Sequence, residues 1–106
     1  MVEYLPDIYR RFRDEQPGVM AAYTALAEAA HAAGPLSDRE RRLVKLGIAM
    51  GAPSEGGVRS HVRKALTEGL GPDELRHAAI LAITTAGFPR GMAAYRWVSE
   101  VLDAEA

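Results

Sequence analysis

From Ala78 to Pro89 the chain carries no charged side chain, and the residues before it mark the segment as the body of a helix. A helix that is apolar or neutral all round offers no face to water, so it is expected to be buried on every side, at the centre of a domain or beneath another subunit. The flanks agree with a helix. Gly71-Pro72-Asp73-Glu74 puts proline near the first helical position and acids in the first turn, where they complement the macrodipole, and Gly87 is a natural stop.

The remaining punctuation divides the chain into similar short helices. Alanine is abundant, β-branched runs are short, and no stretch reads as a strand. From about Pro6 to Arg13, Ile8, Tyr9 and Phe12 alternate with Arg10, Arg11 and Arg13, which predicts a short amphipathic helix within an N-terminal flap over residues 1–16. Pro17 opens a second helix, in which Val19, Met20, Tyr23, Leu26, Ala27 and Ala30 keep helical spacing until Gly34-Pro35. Ser37 and Glu40 form a capping box for a third, carried by Leu43, Leu46, Ile48, Ala49 and Met50 to Gly51. A fourth follows Ser54 and ends at Gly69, with Val58, His61, Val62, Ala65 and Leu66 on one face. The sixth starts at Phe88-Pro89 and uses Met92, Ala93, Tyr95, Trp97, Val98 and Leu102. The expectation is all-α: a compact bundle of about six helices, one domain over residues 1–106, with no linker or internal repeat.

Composition excludes more than it selects. A chain of 106 residues buries about two thirds of its unfolded surface, so a lone monomer is only modestly stable. With 13 basic and 14 acidic residues the net charge is -1, and neither nucleic acid nor an anionic membrane is an expected partner. Met-Val-Glu-Tyr-Leu-Pro-Asp has no basic n-region or apolar h-region, and no uncharged run is long enough to span a bilayer, so a cytoplasmic location is expected. The absence of cysteine removes disulfides, thiolate metal ligands, thiol nucleophiles and dithiol redox cycling.

Candidate chemistry gathers at Ser54-Glu55-Gly56-Gly57-Val58-Arg59-Ser60-His61. Desolvation of His61 beside Val58, Val62 and Ala65 would lower its pKa and leave a neutral imidazole, either a base or hydrogen-bond partner in a site or a core histidine satisfied by a carbonyl. Glu55 reads as a general acid or base at a pocket mouth, or as a capping acid paired with Arg59 one turn on. Six residues from His61, it points to a different side of the helix. Ser54 is an N-cap or a ligand donor, and Gly56 and Gly57 open the first turn to a small carboxylate. His77 could belong to a site or to an interface hydrogen bond, and His31 suits the carbonyls at the end of the second helix. No two histidines stand at metal-ligand spacing, so neither a metal nor a cofactor is expected.

The order Leu36-Ser37-Asp38-Arg39-Glu40-Arg41-Arg42-Leu43, Ser60-His61-Val62-Arg63-Lys64-Ala65-Leu66, Gly71-Pro72-Asp73-Glu74-Leu75-Arg76-His77 and Gly87-Phe88-Pro89 resembles the carboxymuconolactone decarboxylase and alkyl hydroperoxidase D superfamily, from about Tyr23 onward. The resemblance implies an all-helical homo-oligomer, often a trimer or hexamer, whose subunit contacts bury apolar helix faces. In its hydroperoxidase branch two cysteines precede a histidine by seven and four residues, with a glutamate upstream. Here those positions hold Ser54 and Gly57, and the glutamate position falls at or near Arg42. Peroxide reduction needs a thiolate and a resolving thiol, which serine and glycine cannot supply. The cysteine-free branch, with Glu-Gly-x-Val-x-Ser-His in the same loop, is the nearer likeness. It implies a non-redox lyase acting on a small carboxylate or lactone, in which His61 moves the proton, Glu55 assists, and Arg42 or the Gly56-Gly57 turn holds the anion. The rival expectations are a noncatalytic oligomeric scaffold and, disfavoured by the missing sulfur, a hydroperoxidase.

Overall fold

The computed structural model describes residues 7–105, so the first six residues of the expected flap lie outside the described residues. Among the described residues every regular element is an α-helix: α1 (Asp7–Glu15), α2 (Pro17–Ala32), α3 (Asp38–Gly51), α4 (Glu55–Thr67), α5 (Pro72–Ala86) and α6 (Phe88–Glu105). None is long and apolar enough to cross a membrane. The chain divides into two units, Met1–Pro35 and Leu36–Ala106.

The first unit pairs α1 with α2. A single residue, Gln16, separates them: its N–H donates to Phe12 O at 2.8 Å and its carbonyl accepts from Met20 N–H at 3.0 Å. Pro17, which has no N–H to satisfy, takes the first helical position. The Tyr9 hydroxyl reaches Met20 Sδ at 3.7 Å. Neither helix contains a buried residue, and Val19, Tyr23 and Leu26 of the expected apolar face are exposed.

The second unit holds the core. Leu46 and Met50 of α3, Val58, Val62 and Ala65 of α4, Leu75 and Ala79 of α5, and Ala94 and Val98 of α6 are removed from water at helical spacing. Two of these helices, α3 and α4, start where a serine hydroxyl satisfies one of the first N–H groups, whereas α5 starts at Gly71 with Pro72 and no side-chain cap. At α3 the Ser37 hydroxyl accepts from Glu40 N–H at 3.1 Å while Glu40 Oε1 accepts from Ser37 N–H at 2.8 Å, the expected capping box. Between α5 and α6 a single residue, Gly87, turns the chain with φ of +107°, in a region that L side chains rarely adopt. Gly91 then lets the two helices approach. A Cβ there would lie 2.3 Å from Ile83 Cγ1 and 2.7 Å from Ile83 Cα, so any side chain would force backbone apart.

Of the two settings expected for the charge-free helix, the centre of the domain is not met: Leu75, Ala79 and Ala82 are buried, whereas Ile80 and Leu81 are 49% and 54% exposed in the single chain. The reason is geometric, because α3 and α6 are the neighbours that pack on α5, and two neighbours cannot enclose a cylinder. Ile48, one of the apolar residues that carry α3, is also exposed. An open apolar groove of about 550 Å³ runs along this side, walled by Val44 and Ile48 from α3 and by Leu81 and Ala82 from α5, with Glu74 and His77 among its polar lining.

Candidate functional site

Helix α4 carries His61, and its start is built locally. The Ser54 hydroxyl accepts from Gly57 N–H at 3.1 Å and the Ser54 carbonyl from Val58 N–H at 2.8 Å. Glu55 lies in the first turn, where the partial positive charge of the helix start favours an acid. Gly57 is tightly placed: a Cβ would stand 2.7 Å from Ser54 Oγ and 3.3 Å from Ala49 Cβ, so its bareness lets the cap form and α3 approach. Gly56 faces open space.

Two turns further on, His61 is half-buried beside the fully buried Val58, Val62 and Ala65. Arg42 reaches it from α3. Nη1 of Arg42 lies 2.6 Å from His61 Nδ1, while Nε and Nη2 each donate to a different oxygen of Glu68 at 2.8 Å. This is a bidentate, charge-assisted clamp on an arginine only 8% exposed. Glu68 occupies the C-cap of α4, seven residues after His61 and so on the same side of the helix two turns later.

The protonation state follows from the donors. A guanidinium keeps its protons and has no acceptor, so His61 Nδ1 must be the acceptor and a neutral imidazole carries its hydrogen on Nε2. Burial, and then the positive charges of Arg42, Lys64 and Lys45, push the His61 pKa from 6.5 down to about 4, opposed by Glu68. The ring is neutral at pH 7. Lys45 is held below the usual lysine range, chiefly by partial burial and then by Arg42 and Lys64. Three cations thus surround the imidazole with one carboxylate among them.

The other sequence candidates are placed elsewhere. Glu55 accepts from Arg59 Nε at 3.2 Å, and Arg59 Nη2 reaches Glu100 of α6 at 2.6 Å, which ties α4 to α6. Among the described residues no hydrogen bond or ion pair joins Ser54, Glu55, Gly56, Gly57 or Arg59 to His61. His77 is exposed in the wall of the apolar groove, whose lining does not include His61. Among the described residues no three His, Asp or Glu side chains gather as metal ligands.

Sequence reasoning paired Arg42 with the His61 locus but passed over Glu68, Lys45 and Lys64. The signal for two of these was present, since Lys64 and Glu68 follow His61 at three and seven residues, the repeat of one helix face.

The arrangement defines an all-α protein whose candidate site opposes an imidazole to a buried guanidinium and contains no sulfur nucleophile. The chain belongs to the carboxymuconolactone decarboxylase family, whose model matches residues 17–100, from the first residue of α2 into α6. No curated protein and no solved structure matches the chain.

Proposed function

We propose that this protein is a non-redox, lyase-type enzyme of the carboxymuconolactone decarboxylase kind, acting on a small carboxylate or lactone. The observation that carries the reading is the 2.6 Å contact between Arg42 and His61. Loss of carbon dioxide or opening of a lactone develops negative charge on an enolate or carboxylate oxygen, and a pre-set donor in a positive field stabilises that charge. His61 offers Nε2–H in such a field. The guanidinium on Nδ1 withdraws electron density from the ring and sharpens the donor, so His61 donates a hydrogen bond from Nε2–H to the developing anion and keeps its proton. Lys45 and Lys64 supply the field that draws the substrate in, and Arg42 acts through the ring because Glu68 and His61 already occupy most of its donors.

Replacing His61 by Ala should lower turnover of a responsive lactone or carboxylate by about 10²-fold or more while leaving the assembly intact. Full activity in His61→Ala would overturn the assignment. A panel of small lactones and 3-oxo or unsaturated carboxylates, read by loss of substrate absorbance and by carbon dioxide release, identifies the substrate.

The reading includes self-assembly, as a trimer or hexamer. Ile48, Ile80 and Leu81 form an apolar surface that one copy leaves in water, which favours burial against another copy. Light scattering after gel filtration should give a multiple of the 11.5 kDa chain mass, and a monomer at micromolar concentration would remove this part. The second reading, a noncatalytic oligomeric binding protein, is favoured by one observation: the apolar groove along α3 and α5 does not include His61. A thermal-shift screen separates the two, because ligands that still stabilise His61→Ala act elsewhere than at the imidazole.

A further inference from the structure

We propose that Glu68 is a positioning residue for His61: its two-oxygen grip on Arg42 orients the guanidinium so that Nη1 donates to Nδ1 and the ring hydrogen is held on Nε2. The catalytic consequence rests on the preceding reading of His61 as the working side chain, but the positioning itself does not.

The geometry carries the inference. A guanidinium is planar, with five N–H bonds in fixed directions. Once Nε and Nη2 bind the two Glu68 oxygens at 2.8 Å, the direction of Nη1 is no longer adjustable, and His61 Nδ1 stands 2.6 Å along it. Arg42 is 8% exposed, so water has little access to pull the group out of that plane. Both partners of Arg42 come from α4, seven residues apart, and the arginine comes from α3. Packing of α3 on α4 therefore sets the imidazole tautomer. The charged groups acting on the ring are Arg42 and Lys45 from α3 and Lys64 and Glu68 from α4, while Arg96 and Glu100 of α6 belong to the Arg59 cluster.

Without the carboxylate the guanidinium has no fixed plane, and the ring is free to expose Nδ1 instead of Nε2. A donor would then be exchanged for an acceptor at the position where the proposed chemistry needs a proton.

The test is nitrogen NMR of the histidine rings in the full-length protein at pH 7, with the His61 signals assigned by their loss in His61→Gln. The wild type should show Nδ1 as the unprotonated nitrogen and Nε2 as the protonated one, with a preference of about tenfold or more, as expected for a hydrogen bond from a charged donor. Glu68→Ala should lower that preference by about tenfold, Glu68→Gln by less, and Glu68→Asp should restore part of it. If Glu68→Ala does not fold, Glu68→Gln supplies the comparison, since it keeps the size and one acceptor while removing the charge. An unchanged tautomer in the folded Glu68 variants would overturn the proposal, as would a wild type with its hydrogen on Nδ1. The activity assay is separate: a Glu68-dependent tautomer with full turnover in His61→Ala leaves the positioning standing and removes the enzyme reading.

Discussion

The two ends of α4 are stabilised by different means. The N-terminal turn is satisfied within the six residues from Ser54 to Arg59: a hydroxyl caps an N–H, and an acid sits at the helix start and pairs with Arg59 one turn on. The segment from His61 to Glu68 is joined by Arg42, nineteen residues before the histidine, arriving from another helix. The first kind of arrangement recurs wherever a helix begins. The second brings an ionised group, a titratable ring and a carboxylate into one partly buried cluster, so the contrast separates secondary-structure chemistry from site chemistry.

The contrast is sharpest in the response to mutation. Glu68→Ala leaves the guanidinium of Arg42 buried without its anion, and a loss of about 2–3 kcal/mol is expected in urea unfolding, below the range for fully buried pairs because Glu68 is partly solvated. Arg42→Met should cost less, about 1 kcal/mol, since the carboxylate it abandons can hydrate. If Arg42→Met is the more damaging change, the cluster is not held by its ion pair.

A pH effect comes next. The folded His61 pKa of about 4 lies below its unfolded value of 6.5, so the unfolded chain binds the proton more readily in that interval. The contribution is fully present above pH 6.5 and is lost as pH falls toward 4. After allowance for the half-exposed ring, about 1–2 kcal/mol should disappear across that window. The urea midpoint of the wild type should fall more steeply than that of His61→Gln between pH 6.5 and pH 4. Parallel curves would show that the ring is not desolvated and charged around as described.

Smaller effects are expected at the other end. Ser54→Ala should cost about 1 kcal/mol through the lost cap, with no change in the His61 tautomer. Gly56→Ala should stabilise by about 0.5–1 kcal/mol, because a Cβ there meets open space inside a helix. A large loss of turnover in either variant, with stability corrected for, would move the site toward the N-terminal turn and reverse the comparison.

Much of this was legible in the chain. The helices opened by Pro17, Ser37, Ser54, Pro72 and Phe88 start where the punctuation placed them, because caps and prolines act on neighbours in sequence. His61 and Arg42 were legible as a pair through the resemblance. Glu68 was not, since a glutamate before a helix-ending glycine reads as solvated until a partner from another helix is seen. The close approach at Gly91 was hidden for the same reason, as its need depends on Ile83 of the adjoining helix.

By itself, then, the sequence determined an all-α chain of the carboxymuconolactone decarboxylase family that has no thiol chemistry, because capping is local and the absence of cysteine needs no coordinates. Tertiary structure decided which face of the charge-free α5 a single copy leaves exposed, and it decided that His61 meets the buried guanidinium of Arg42 through Nδ1. Both depend on which helix packs where, and so on distances between residues far apart in the chain.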